Sequence, residues 1–378
     1  MNQIEAKIIA RCKEIRQELI TAIQQIVQIP SIKSAPLEDA PYGKAIKQAL
    51  DHTLSLAESF GFETQNIGNQ VGFAHWGHNT EYIGIMGHLD VVDVEDGWLV
   101  PPFSGEIVED KIISRGVLDN KGPIYTNLFA LKVVKEICEE ENIDLPLSIR
   151  IIFGCDEESG FHDVPHYLAN EQPPKYGYTP DCKYPPVYSE RGRLRVRLSA
   201  SIQDLAIFSK VLTEYFLQAN GSGDRLGIAT EHADYGKLEM RGYQLTSDNQ
   251  LVTFMFSVSY PPTLTDTELI ERIQAKLSNY PITVAAVSNW QPVVFDKAHP
   301  QIKIMSQSYQ EITGMDGTPV TTTGGTYAKL IPNIVPFGPS FPGQKGIAHQ
   351  PNEYWDLEDI FLNLEIYALT MYRLAQIG

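Results

Sequence analysis

Residues 81–92 read EYIGIMGHLDVV. The apolar run 82–86 has the length and all-round hydrophobicity of a strand buried on both faces, and Gly87 reads as its break. Such strands belong to parallel sheets, where loops leaving the strand C-termini form the ligand crevice. His88 and Asp90 therefore fall at the mouth of a site. A neutral imidazole coordinates a metal through one nitrogen while a carboxylate on the other fixes its tautomer. Taken alone, such a pair is more often a loop hydrogen bond than a metal site, and other segments must supply the remaining ligands.

Outward from this stretch the chain alternates between strand and helix, which predicts an α/β sheet. Residues 4–29 carry an apolar stripe at helical spacing ended by Pro30, and 43–60 form a second helix closed by Gly61. Residues 71–76 read as a strand and 107–113 as a hairpin. Pro123 opens a long helix to about residue 141. Residues 147–153 are a second buried strand, ending in the polar cluster Gly154-Cys155-Asp156-Glu157-Glu158-Ser159-Gly160.

The character changes near Arg191. Strands at 194–201, 237–241, 250–260 and 282–287 interleave with helices at 203–217 and 266–277. That order is the ferredoxin-like split unit. The expected organisation is a catalytic domain at 1–191, an inserted lid at 192–297, and a return to the first domain at 298–378. The return begins with a helix at 301–312 and ends with one at 356–377.

The totals narrow the function. A formal charge of -17 over 378 residues argues against nucleic acid or an anionic membrane as the main partner. No apolar run reaches the length of a membrane span. The charged N-terminus does not read as a signal peptide. Cys12, Cys138, Cys155 and Cys182 have no framework spacing, which suits a reducing compartment, so the expected location is the cytoplasm. The glycine-rich segment 338–346 lacks the Gly-Lys-Ser/Thr ending of a phosphate loop.

Three loops offer metal-type ligands: His88 with Asp90, Asp119, and Glu157 with Glu158. Asp181 and His349 are later candidates. Adjacent glutamates near further carboxylates repel one another unless cations neutralise them, and two divalent ions would do so. Mixed imidazole and carboxylate ligation suits zinc, with cobalt or manganese as alternatives.

The motifs GHLDVV, GVLDNKGP, GCDEESG, TPD and AHQPNE, in that order, resemble the di-zinc aminoacylase and carboxypeptidase family. Among its members, GYTPDCKYP with SERG and the GGTYA segment are most similar to the PepV-type bacterial dipeptidases. The resemblance implies a zinc-peptidase-like α/β domain with a mixed central sheet flanked by helices, plus an inserted ferredoxin-like α+β lid. It implies two Zn²⁺, one on His88 and Asp181, the other on Glu158 and His349, with Asp119 bridging. Asp90 would orient His88, and Glu157 would be the general base that takes a proton from the bridging water as the amide bond of a small peptide is hydrolysed.

Two departures keep alternatives open. The family's lid histidine motif is absent, leaving His232 as the sole histidine between Arg191 and Asn289. Where PepV-type enzymes carry Arg-Tyr-Pro, this chain reads Ser259-Tyr260-Pro261, so either another cation, Arg225 or Arg241, holds a substrate carboxylate or the substrate differs. Gly324 and Gly325 are further substrate contacts on this reading. The alternatives are an N-acyl amino acid deacylase and a metal-retaining protein without catalysis. The chain is expected as a monomer or as a homodimer through the lid.

Overall fold

A computed structural model describes residues 1–344 and 346–377; Lys345, in the glycine-rich segment weighed above, lies outside them. The chain divides into two units. The larger comprises residues 1–187, 296–319 and 326–378, and the smaller 188–295 and 320–325. The sequence reading puts 320–325 with the larger unit. Instead, strand Val320–Thr322 joins a three-stranded sheet with Val187–Glu190 and Val293–Val294.

The larger unit is built on a six-stranded sheet. Its order is Glu63–Ile67, Val71–Trp76, Ser148–Gly154, Tyr82–His88, Tyr176–Thr179 and Ile334–Pro336. The first three strands pair antiparallel, and the last four run parallel. The two central strands, Tyr82–His88 and Ser148–Gly154, are buried at every position, which explains their unbroken hydrophobicity.

Gly87 does not break its strand, which continues through His88. A Cβ at Gly87 would stand 2.3 Å from Asn120 Oδ1, so glycine is required there by close packing. The expected helix at 4–29 is two, Gln3–Glu14 and Arg16–Val27, parted where Ile15 leaves helical geometry at ψ 5°. The first half packs on helix Leu357–Ala375 and the second on Lys121–Glu140.

The smaller unit has an antiparallel sheet ordered Glu239–Ser247, Leu251–Tyr260, Gly192–Ser201, Thr283–Trp290. Helices Leu205–Leu212 and Asp266–Leu277 complete the ferredoxin-like arrangement. Leu194, Val196 and Leu198 enter its core, while the intervening Arg193, Arg195 and Arg197 lie on the other face. Among the described residues, no helix is long and apolar enough to cross a membrane.

Candidate metal centre

The C-terminal ends of the parallel strands deliver the site. His88 is the last residue of its strand, Glu157 and Glu158 follow Ser148–Gly154, and Asp181 follows Tyr176–Thr179. Asp119 lies just before helix Lys121–Glu140, and His349 takes a left-handed φ of 65° in the loop before Tyr354–Asp356.

Asp119 stands between the two histidines. Its Oδ1 is 3.1 Å from His88 Nε2 and its Oδ2 is 3.1 Å from His349 Nε2. His349 Nε2 is also 2.8 Å from Glu158 Oε1, and His88 Nε2 is 3.8 Å from Asp181 Oδ2. Two overlapping groups result, His88–Asp119–Glu158 and His88–Glu157–Asp181, with the ligand atoms of each within 4.8 Å of one another.

The electrostatics fit cations. Burial, reinforced by repulsion from Asp181, holds the Glu157 carboxyl well above its usual range. Glu158 is raised by burial as well, despite its hydrogen bond to His349. Burial also works against ionised Asp119, but the two imidazoles outweigh it and draw that carboxyl below its normal value. Hydrogen bonds to Asp119 and Glu158 push the exposed His349 up to about 10. Four carboxylates thus face two imidazoles, an imbalance that divalent cations relieve. The nitrogen and oxygen donors suit zinc, cobalt or manganese.

Asp90 is placed beside His88, but its contacts differ from the expected ones. The His88 Nδ1–H donates to the Asp90 backbone carbonyl at 2.9 Å, and the Asp90 carboxylate is farther, at 3.5 Å. That carboxylate instead accepts the amides of Glu157 at 3.2 Å and Glu158 at 3.1 Å. It therefore sets the loop carrying both glutamates as well as the imidazole.

Sequence reasoning passed over several residues that hold the ligand loops. Asn120 accepts the His88 amide at 3.2 Å and donates to the Pro180 carbonyl at 2.7 Å, tying the Asp119, His88 and Asp181 segments together. Glu353, four residues past His349, accepts the amides of Leu118 and Asp119. Its other oxygen takes Arg115 at 2.7 Å. Asp163 accepts the amides of Cys155 and Asp156.

His232, Gly324 and Gly325 belong to the smaller unit. His232 lies in a short hairpin, where its Nδ1 accepts the Asp234 amide at 3.1 Å. The Gly324 amide donates to Thr322 Oγ1. Ser259 is buried, and its hydroxyl has no hydrogen-bond partner among the described residues.

A histidine–carboxylate cluster at the parallel edge of a mixed sheet, in a chain with an inserted ferredoxin-like unit, defines a metallopeptidase. The pattern of Peptidase family M20/M25/M40 matches residues 84–373, and the chain belongs to that family. It is 25% identical to the Bacillus subtilis (strain 168) protein named "Putative dipeptidase YtjP", over 96% of this chain and 98% of that one. Its fold resembles human carnosine dipeptidase 1 at a TM-score of 0.76 and 14% identity, covering 100% of both chains. It also resembles Bacillus subtilis YXEP, described as a dinuclear metal-binding peptidase, at a TM-score of 0.64 and 12% identity, covering 97% of this chain and 100% of that one.

Proposed function

We propose that this chain hydrolyses the amide bond of dipeptides or similarly small peptides, with two zinc ions held by His88, Asp119, Glu158, Asp181 and His349. The observation that carries the reading is the Asp119 carboxylate, which offers one oxygen toward each histidine at 3.1 Å. In this assignment Asp119 serves both ions, Asp181 joins His88, and Glu158 joins His349. Bound there, a metal pair supplies electrophilic polarisation of a carbonyl and acidification of a water.

The protein's own share is proton handling and positioning. In this assignment Glu157, although its carboxylate lies within reach of His88 and Asp181, is the carboxylate of the cluster not used as a ligand. Among the described residues its carboxylate accepts no hydrogen bond, so it is free to take a proton. Its raised affinity for that proton matches a group that receives one from water and returns it to the leaving amine. Asp90 fixes the height of Glu157 through the peptide amide. The dipeptidase names of relatives such as YtjP support small peptides as substrates. The buried Ser259, where a carboxylate-binding arginine is expected, favours N-acyl amino acids as the second reading. The four free cysteines support a cytoplasmic location.

The test is Glu157→Gln, assayed on a panel of dipeptides and N-acyl amino acids with metal content measured in parallel. Two bound ions with kcat reduced by several orders of magnitude support the assignment. Near-normal turnover removes Glu157 from the role, and cleavage of the N-acyl compounds alone selects the second reading.

A further inference from the structure

The Tyr327 phenol is wholly buried and donates to Asp163 Oδ2 at 2.6 Å. The same oxygen accepts the peptide N–H of Cys155 at 2.8 Å and of Asp156 at 3.2 Å. The Asp90 carboxylate takes the next two amides, those of Glu157 and Glu158. Four successive N–H groups of the GCDEESG loop are thus held from outside by two buried carboxylates.

Everything around this contact is tight. A Cβ at Gly154 would come 1.9 Å from the Tyr327 hydroxyl and 2.6 Å from Asp163 Oδ2, so only glycine lets the three groups meet. The Phe161 ring packs edge-on to Tyr327 at 5.5 Å between centroids. Asp163 Oδ1 has no hydrogen-bond partner among the described residues, so the carboxylate is secured through Oδ2 alone.

We propose that Tyr327 and Asp163 are positioning residues for Glu157, with the phenol locking the carboxylate that holds the peptide groups immediately before it. The proposal rests on Glu157 being the general base. A carboxylate accepting two amides through one oxygen can rotate about its Cβ–Cγ bond, and the third hydrogen bond removes that freedom. Without it the Cys155–Asp156 segment relaxes, and the displacement passes to the next residue, Glu157. Supports of this kind around a metal site are worth about 10–100-fold in activity or affinity. Tyr327 follows the residue at which the chain leaves the smaller unit by only two positions, since 320–325 belong to that unit.

The experiment compares Tyr327→Phe in the wild-type and Glu157→Gln backgrounds, measuring kcat, KM, bound metal and thermal unfolding. In the wild-type background, kcat should fall about 10–100-fold, with KM changed less than about twofold and two ions retained. In the Glu157→Gln background the added substitution should alter the residual turnover by less than about twofold, because the group it positions is gone. Should Tyr327→Phe melt too low to assay, Asp163→Asn carries the same comparison. An equal fold-loss in both backgrounds, a rise in KM alone, or unchanged kcat in the first background overturns the proposal. If Glu157→Gln by itself keeps near-normal turnover, the base assignment falls and this inference with it. A large loss from Glu157→Gln with none from Tyr327→Phe sinks the inference only.

Discussion

Arg115 and Glu353 form an ion pair 2.7 Å long, with the two side chains only 1% and 0% exposed. The same glutamate holds the Leu118 and Asp119 amides through its second oxygen, at 2.9 and 3.1 Å. One carboxylate thus fixes the backbone of Asp119, a proposed metal ligand, and neutralises an enclosed guanidinium. Breaking a buried pair from one side costs about 3–5 kcal/mol, because the other charge stays uncompensated. Glu353→Ala should therefore be strongly destabilising by urea unfolding. Glu353→Gln leaves the same guanidinium uncompensated but keeps an acceptor for the two amides, so it should cost less by the worth of those two hydrogen bonds, about 1–3 kcal/mol. Equal losses would show that the amide contacts contribute nothing.

The two histidines should separate stability from metal loading. His88 is fully enclosed, whereas the His349 side chain is 47% exposed. His349→Ala should lower the melting temperature of the chelator-treated protein less than His88→Ala does, since it removes a half-exposed imidazole paired to Asp119 and Glu158, yet lose one of two bound ions by elemental analysis. His88→Ala should lower both. A His349 variant that still holds two ions after dialysis would remove that residue from the ligand set.

Chelation itself has a predictable sign. The carboxyls of Glu157 and Glu158 are raised by burial and by repulsion from Asp181 and Asp119 respectively, so ionising these two glutamates without a cation opposes folding. Restoring a divalent ion at about 100 times its dissociation constant should add about 2.7 kcal/mol per site. A melting temperature insensitive to chelator and to added zinc would contradict a metal centre at this cluster.

Asp163 gives the stability a pH dependence. Burial lifts its carboxyl from an ordinary 3.8 to about 6. The folded protein then holds this proton more tightly than the unfolded chain, so the ionised side chain is the unfavourable form. Its penalty is absent below pH 3.8, grows as the pH rises to about 6, and is constant above. Two pKa units correspond to roughly 3 kcal/mol. Asp163→Asn cannot titrate, so the stability of the wild type relative to this variant should decline by up to ~3 kcal/mol between pH 4 and pH 7. A difference that is flat across that range, measured by urea unfolding, would place the carboxyl at its normal value.

Gly154→Ala tests the crowding behind the glutamates. The added methyl meets two polar atoms that cannot retreat without surrendering hydrogen bonds. Overpacking typically costs about 1–3 kcal/mol, and the displaced Asp163 should add a loss of turnover. Wild-type kcat and melting temperature together would show that the loop has room the geometry denies.

Much of the fold, and the convergence of the candidate residues, was legible because the chemistry is carried by residue type and order. A histidine ending a buried run, paired acids after another, and an Ala-His-Gln-Pro-Asn-Glu segment announce themselves. Asn120, Asp163 and Glu353 did not, because their role is to accept from or donate to main-chain groups that every residue possesses, and Tyr327 did not because it acts only through the Asp163 carboxylate. Asp90 shows the same limit: the sequence supplies the right residue, but not which of its oxygens faces the imidazole. The lodging of 320–325 with the smaller unit was equally hidden. Three strand residues carry too little pattern to declare their neighbours, and the pairing with Val187–Glu190 spans more than a hundred positions.

The division of the chain has a practical corollary for anyone wishing to simplify it. The polypeptide moves between the two units four times, at 187/188, 295/296, 319/320 and 325/326. Excising 188–295 as though it were a cassette would strip Val320–Thr322 of both its sheet companions. A minimal catalytic fragment therefore has to replace two segments, with one of the joins landing a single residue ahead of Tyr327.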